Sequence, residues 1–186
     1  MMTRSATPPR ELPAWLILAG GITLLLARPA LADGSAAPAA LAACYLGIGA
    51  AALSVREVSP RASALGRLPV LVIGLAAIVL VASVVGPWPP LRLGWTGAPV
   101  GVLAAVAEEA LFRRLAYARL LRFGAAVAVL GSALAFALLH VPFYGLEVLP
   151  VDLGAGLLLS WQRWASGTWT VPAATHAAAE LLAVLR

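Results

Sequence analysis

The sequence predicts an all-α fold, a polytopic bundle of about seven transmembrane helices. Two observations carry this. Hydrophobic residue types make up 62% of the 186 positions and charged types only 11%. Ordinary soluble domains run at about 45–50% apolar and about a quarter charged, so a water-soluble fold of this length would lack polar surface to cover itself. The charged residues also fall in short gaps between apolar runs, several of them close to the ~20 residues a helix needs to cross hydrocarbon.

The formal charge is +5, from thirteen basic residues against eight acidic ones, and every basic residue is Arg. A basic balance can signal nucleic-acid binding. Here the arginines flank apolar runs, so membrane topology accounts for them and no nucleic-acid partner is expected. The Arg-only, Ala-rich composition carries the bias of a GC-rich genome, and a multi-pass position in a prokaryotic cell membrane is the expected location. Cys44 is the only cysteine, so no intrachain disulfide can form and the sequence gives no sign of redox compartment.

The first apolar run is Leu12 to Ala27, preceded by Arg4 and Arg10. Arg28-Pro29 and Ala30-Leu31-Ala32 follow, a layout that also fits a signal peptide with a small-residue cleavage site. An uncleaved first span is favoured, because Arg28 and Pro29 interrupt the approach to that site. The second run, Gly34 to Val55, has no charge; Arg56, Glu57, Arg61 and Arg67 follow it. The third, Leu68 to Gly86, ends in Pro87-Trp88-Pro89-Pro90, a helix stop with an interfacial aromatic residue. These three runs form an N-terminal part, residues 1–97, and the remaining four a core over residues 98–186.

The fourth run starts near Ala98 and continues through Glu108-Glu109 to Arg113-Arg114, Arg119 and Arg122. The fifth spans Phe123 to Tyr144 and the sixth, weaker, about Val148 to Trp161 with Asp152 near its start. The seventh is about Trp169 to Leu185. Gly and Ala recur in these runs, which permits close helix packing in lipid. With seven spans and a cytoplasmic N-terminus, ten arginines fall inside and three outside (Arg28, Arg92 and Arg186), the asymmetry expected of an orientation signal.

Ionisable groups in apolar spans are expensive, so each is a functional-site candidate. Glu108, Glu109 and Arg113 lie on the fourth run, His140 on the fifth, and His176 and Glu180 on the seventh; both histidines of the chain are in this set. Glu109 and Arg113 are four apart and share a helix face, so an ion pair serving stability is their plain reading. Glu108 is rotated by about 100° from Glu109 and needs a separate reason to be buried. Runs four and five make a hairpin turning near Arg122–Gly124. Glu108 and His140 then lie about 21 Å and 27 Å from the turn at about 1.5 Å per residue, within reach of two long side chains and a water. A buried Glu and a His at similar depth form a plausible base pair for water activation. His176 and Glu180 are again four apart on one face, with three alanines between.

Glu108-Glu109-x-x-x-Arg113, Phe136-x-x-x-His140 and His176-x-x-x-Glu180, in this order on three apolar helices, resemble the CAAX protease and bacteriocin-processing family, also called Abi. The resemblance covers about residues 98–186, and Gly167 to Pro172 is similar to that family's turn into its last motif. It implies an intramembrane glutamate-type endopeptidase without metal or other cofactor, acting on a membrane-associated or lipid-modified peptide. Glu108 and His140 would activate a water, and His176 with the residue four on would stabilise the oxyanion. The family has Asn at that last position and this chain has Glu180. A protonated Glu180 would carry an O–H donor in the Asn's place; an ionised one paired with His176 would not. Two other readings stand beside the protease. One is a zinc-dependent membrane protease built on Glu108, His140, His176 and Glu180. The other is a non-catalytic membrane scaffold or peptide-binding protein.

Overall fold

The computed structural model describes residues 11–57, 65–85 and 94–185. The Pro87-Trp88-Pro89-Pro90 stop and Arg4, Arg10, Arg61, Arg92 and Arg186 lie outside them. The described residues contain eight α-helices and no strand. These are α1 (Glu11–Ala27), α2 (Ala37–Ser54), α3 (Arg67–Val85), α4 (Gly94–Glu109), α5 (Tyr117–Leu120), α6 (Ala125–Tyr144), α7 (Leu149–Ser166) and α8 (Thr170–Val184). A π-helical turn, Ala110–Ala116, joins α4 to α5. The described residues therefore form seven helical segments in the order of the seven apolar runs.

Four stretches are long and apolar enough to cross a membrane: Pro13–Leu31, Ala37–Ser54, Arg67–Val84 and Ala125–Tyr144. The expected seven spans are thus met in part. α8 has 15 residues, short of the roughly 20 that hydrocarbon requires, and α4 has 16 before the π turn and α5 carry that segment on to Leu120. α7 buries Asp152, Ser160, Gln162 and Arg163, which lowers its apolarity. The long spans show lipid-facing chemistry. α3 exposes Leu68, Val72, Ile73, Val79, Leu80 and Val84, a surface water would not tolerate. The protein is integral to the membrane.

α2 shows how the stripes work. Its buried residues are Ala37, Leu41, Tyr45, Ile48 and Ala52, spaced by three or four as one face of a helix demands. They pack towards α4, with α1 alongside. α4 and the π turn form the centre: Glu108, Glu109 and every residue from Ala110 to Tyr117 are buried. The glycines set the close crossings. A Cβ on Gly21 of α1 would sit 2.8 Å from the Leu111 side chain, and one on Gly156 of α7 would sit 2.8 Å from the Ala133 carbonyl of α6. Gly124, at φ 111°, makes the turn from Leu121–Phe123 into α6, where the hairpin was expected.

Several arginines counted as loop charges are interior. Arg113 and Arg163 are fully buried, and Arg114 and Arg119 nearly so. Arg114 donates to the carbonyls of Ala52, Leu53 and Val55, which end α2 with no later amide to accept from. Arg163 reaches Glu57 at 3.0 Å and donates from Nε to the Arg113 carbonyl at 3.0 Å. The π turn explains that last bond: the Tyr117 amide reaches back five residues to Phe112, leaving the Arg113 carbonyl for another donor. Without the four interior arginines and Arg28, six inside arginines remain against two outside, so the asymmetry keeps its sign.

The close α6–α7 crossing generates a paired expectation. Gly156→Ala forces backbone apart and costs about 1–3 kcal/mol. Gly154→Ala, whose Cβ would meet nothing within 4 Å, is neutral or slightly stabilising, because Ala is the better helix former. Thermal unfolding in detergent measures both, and equal stability of the two variants contradicts the crossing.

Candidate active site

Glu108 and Glu109 close the last turn of α4, and their 100° separation sends them to different neighbours. The Glu109 carboxylate points to α8. Its Oε1 accepts from Arg113 Nη1 at 2.9 Å and from His176 Nδ1 at 3.0 Å, and both Glu109 and Arg113 are fully buried. Arg113 also donates to the Gly156 carbonyl at 3.2 Å. The expected ion pair is present, and it does more than neutralise charge, because the same oxygen holds a ring nitrogen of His176.

The Glu108 carboxylate divides its two oxygens. Oε1 pairs with Arg28 Nη1 at 3.0 Å, and Oε2 lies 4.0 Å from His140 Nε2. His140 Nδ1 is 2.9 Å from the Phe136 carbonyl one turn back. A carbonyl only accepts, so that nitrogen carries the hydrogen, and in the neutral ring Nε2 offers its lone pair towards Glu108. The same reasoning applies to His176: Nδ1 donates to Glu109, and Nε2 is turned to Glu180 Oε1 at 4.0 Å. Each histidine is thus oriented by a bond at Nδ1, with Nε2 left for chemistry.

Phe136, the first residue of the second motif, separates the two rings. Its centroid is 4.7 Å from that of His140 and 5.6 Å from that of His176. The Arg113 guanidinium lies 4.4 Å over its face, a favourable place for a cation.

His140, His176, Glu180 and Asp152 are among the residues lining a cavity of about 630 Å³. Its lining also includes apolar side chains, Ala77, Ile78 and Val81 of α3 and Leu158 and Leu159 of α7. The volume is in the range of ordinary ligand sites. The structure therefore brings Glu108, Glu109, Arg113, His140, His176 and Glu180 into one region. Glu180 is the most exposed of them, its side chain retaining 32% of its surface.

Two residues of this region were not picked out from the sequence. Asp152 lies 4.0 Å from His140 Nδ1; its position inside an apolar run was a usable signal. Arg28 was counted as a loop charge, and no local pattern announces a contact with a residue 80 positions on. Among the described residues, no group of three or more His, Cys, Asp or Glu side chains is arranged to hold a metal ion. The donors of the zinc reading point at Arg28, Glu109 and one another, so the geometry lends that reading no support.

A search of curated proteins gives no match, and neither does a search of solved structures. A family profile matches residues 90–182, half the chain, from just before α4 to near the end of α8. That stretch holds all three motifs with Glu108, Glu109, Arg113, His140, Asp152, His176 and Glu180, though not Arg28, and the chain belongs to the Rce1-like family of type II CAAX prenyl endopeptidases, a protease family.

Proposed function

We propose that the protein is an intramembrane endopeptidase that uses Glu108 and His140 to activate water against a peptide bond. The observation that carries this is the facing of Glu108 Oε2 and His140 Nε2 across 4.0 Å, with His140 on the wall of the cavity. One water set off the line between them sits within about 2.8 Å of both. Its oxygen attacks the scissile carbonyl carbon and its proton passes to the Glu108–His140 pair. The carbonyl oxygen becomes an oxyanion, the C–N bond then breaks, and the departing nitrogen takes a proton. His176 and Glu180 are the donors beside the oxyanion: His176 presents Nε2–H when both ring nitrogens are protonated, and Glu180 presents O–H when neutral. Glu109 and Arg113 hold His176 in place. No metal or other cofactor takes part.

The cavity supports a substrate with an apolar part. A peptide chain fits against the polar side chains of the lining, and a lipid chain or apolar side chain suits the apolar ones from α3 and α7. The family's name adds a prenylated cysteine near a C-terminus as the substrate to try first. A protein that binds such a peptide without cutting it is the competing reading, favoured by Glu180 where the family has Asn.

Glu108→Gln and His140→Ala each lower kcat about 10²–10⁴-fold, the range of general acid–base catalysis, while the proteins stay folded. Quenched-fluorescence cleavage of an S-farnesyl-cysteine peptide in detergent measures this. Wild-type cleavage that survives Glu108→Gln refutes the assignment.

Glu180 separates the two readings of the last motif. Glu180→Gln keeps a donor at the same reach and retains at least a tenth of wild-type kcat; Glu180→Ala removes the donor and costs about 10²-fold or more. Gln as inactive as Ala refutes the donor role.

The orientation we propose is a cytoplasmic N-terminus in a prokaryotic cell membrane, from the six-to-two arginine asymmetry in the loops. Reporter fusions at Gly34, Arg61 and Gly94 then read outside, inside and outside, and a cytoplasmic signal at Gly94 breaks this topology.

A further inference from the structure

Arg28 lies outside the stretch that matches the family, residues 90–182. It follows the final residue of α1 and opens a short 3-10 turn, Arg28–Leu31. Pro29 has no amide hydrogen to continue the helix, so the chain turns there and the Arg28 side chain enters the bundle with only 14% of its surface left. Two of its contacts bear on the site. Nη1 donates to Glu108 Oε1 at 3.0 Å, and the guanidinium carbon lies 4.2 Å over the Phe143 ring. Phe143 is three residues beyond His140, so one turn of α6 supplies both the ring that backs Arg28 and the imidazole that faces Glu108.

A carboxylate in an apolar bundle can rotate and can pair with either oxygen. Here the planar guanidinium, backed by an aromatic face, is a rigid donor rather than a mobile point charge. It occupies Oε1 and so leaves Oε2 as the oxygen on the His140 side. We infer that Arg28 is a positioning residue for hydrolysis, fixing the Glu108 carboxylate so that Oε2 addresses the water at His140. On this inference the N-terminal part of the chain is required by the active site, and the family-matching stretch alone is incomplete. The inference rests on Glu108 being the water-activating group.

The test uses the full chain purified in detergent, with the S-farnesyl-cysteine peptide as substrate and Arg28→Ala, Arg28→Lys and Glu108→Gln as variants. Arg28→Ala lowers kcat at least 10-fold with KM changed less than about threefold, since Arg28 acts on the water and not on peptide binding. Methylguanidinium added to Arg28→Ala restores kcat several-fold, and sodium chloride at equal ionic strength does not. Arg28→Lys, which keeps a charge but not the fork, falls between. Wild-type kcat in Arg28→Ala overturns the inference. So does a loss that neither methylguanidinium nor Lys recovers, because that describes a merely structural residue. Full activity of Glu108→Gln instead overturns the underlying assignment of Glu108, and the two failures are therefore distinct.

Discussion

Two carboxylates adjacent in sequence and both buried impose the constraint that organises this protein. An ion left without a partner in a low-dielectric interior costs several kcal/mol, and Glu108 and Glu109 retain almost no exposed surface. Successive residues of a helix point about 100° apart, so one partner cannot serve both. Glu109 is met by Arg113 from its own helix and by His176 from α8. Glu108 is met by Arg28 from the end of α1 and faces His140 of α6. The three elements that carry Arg28, His140 and His176 are thereby tied to α4. The convergence of two histidines and a cavity on one place follows from the need to satisfy two charges.

A second buried charge cluster fixes the helix that carries the first. Glu57, just beyond α2, accepts from Arg163 at 3.0 Å and lies 3.6 Å from Arg114. Arg114 closes the end of α2, and Arg163 fills the carbonyl that the π turn releases. The π turn begins at the residue after Glu109, a frequent placement for such turns at functional sites. α7 contributes by presenting its polar face inward. Besides Arg163, its Gln162 donates to the Val70 carbonyl of α3 and to Thr175 of α8, the kind of polar bond that joins helices when lipid removes the hydrophobic difference between inside and outside.

Much of this was legible in the sequence. The seven apolar runs correspond to the seven helical segments within a few residues, because a run bounded by Arg, Pro or Gly has few alternatives in lipid. The candidate groups were legible for the same reason: a charge in an apolar run must have a partner, and that rule alone singles out Glu108, Glu109, Arg113, His140, His176 and Glu180. It would equally have singled out Asp152. Three features were not legible. α7 and α8 fall short of a clear span, because α7 turns polar residues inward and α8 has only 15 residues. The π turn leaves the Arg113 carbonyl to Arg163, a partner 50 positions away that no local pattern announces. Arg28 looked like a loop charge because arginines that end spans and arginines that fold back into a bundle share one sequence pattern.

The most direct test of this account is the coupling between Arg28 and Glu108, measured on stability rather than activity. The free energy of unfolding by denaturing detergent is compared for wild type, Arg28→Met, Glu108→Gln and the double variant. If Arg28 is the cation that allows Glu108 to be buried, Arg28→Met is costly only while Glu108 keeps its charge. The double variant then recovers part of the loss, with a coupling of about 1–3 kcal/mol. Additive effects, with a coupling under about 0.5 kcal/mol, would contradict a Glu108 carboxylate held by its own cation.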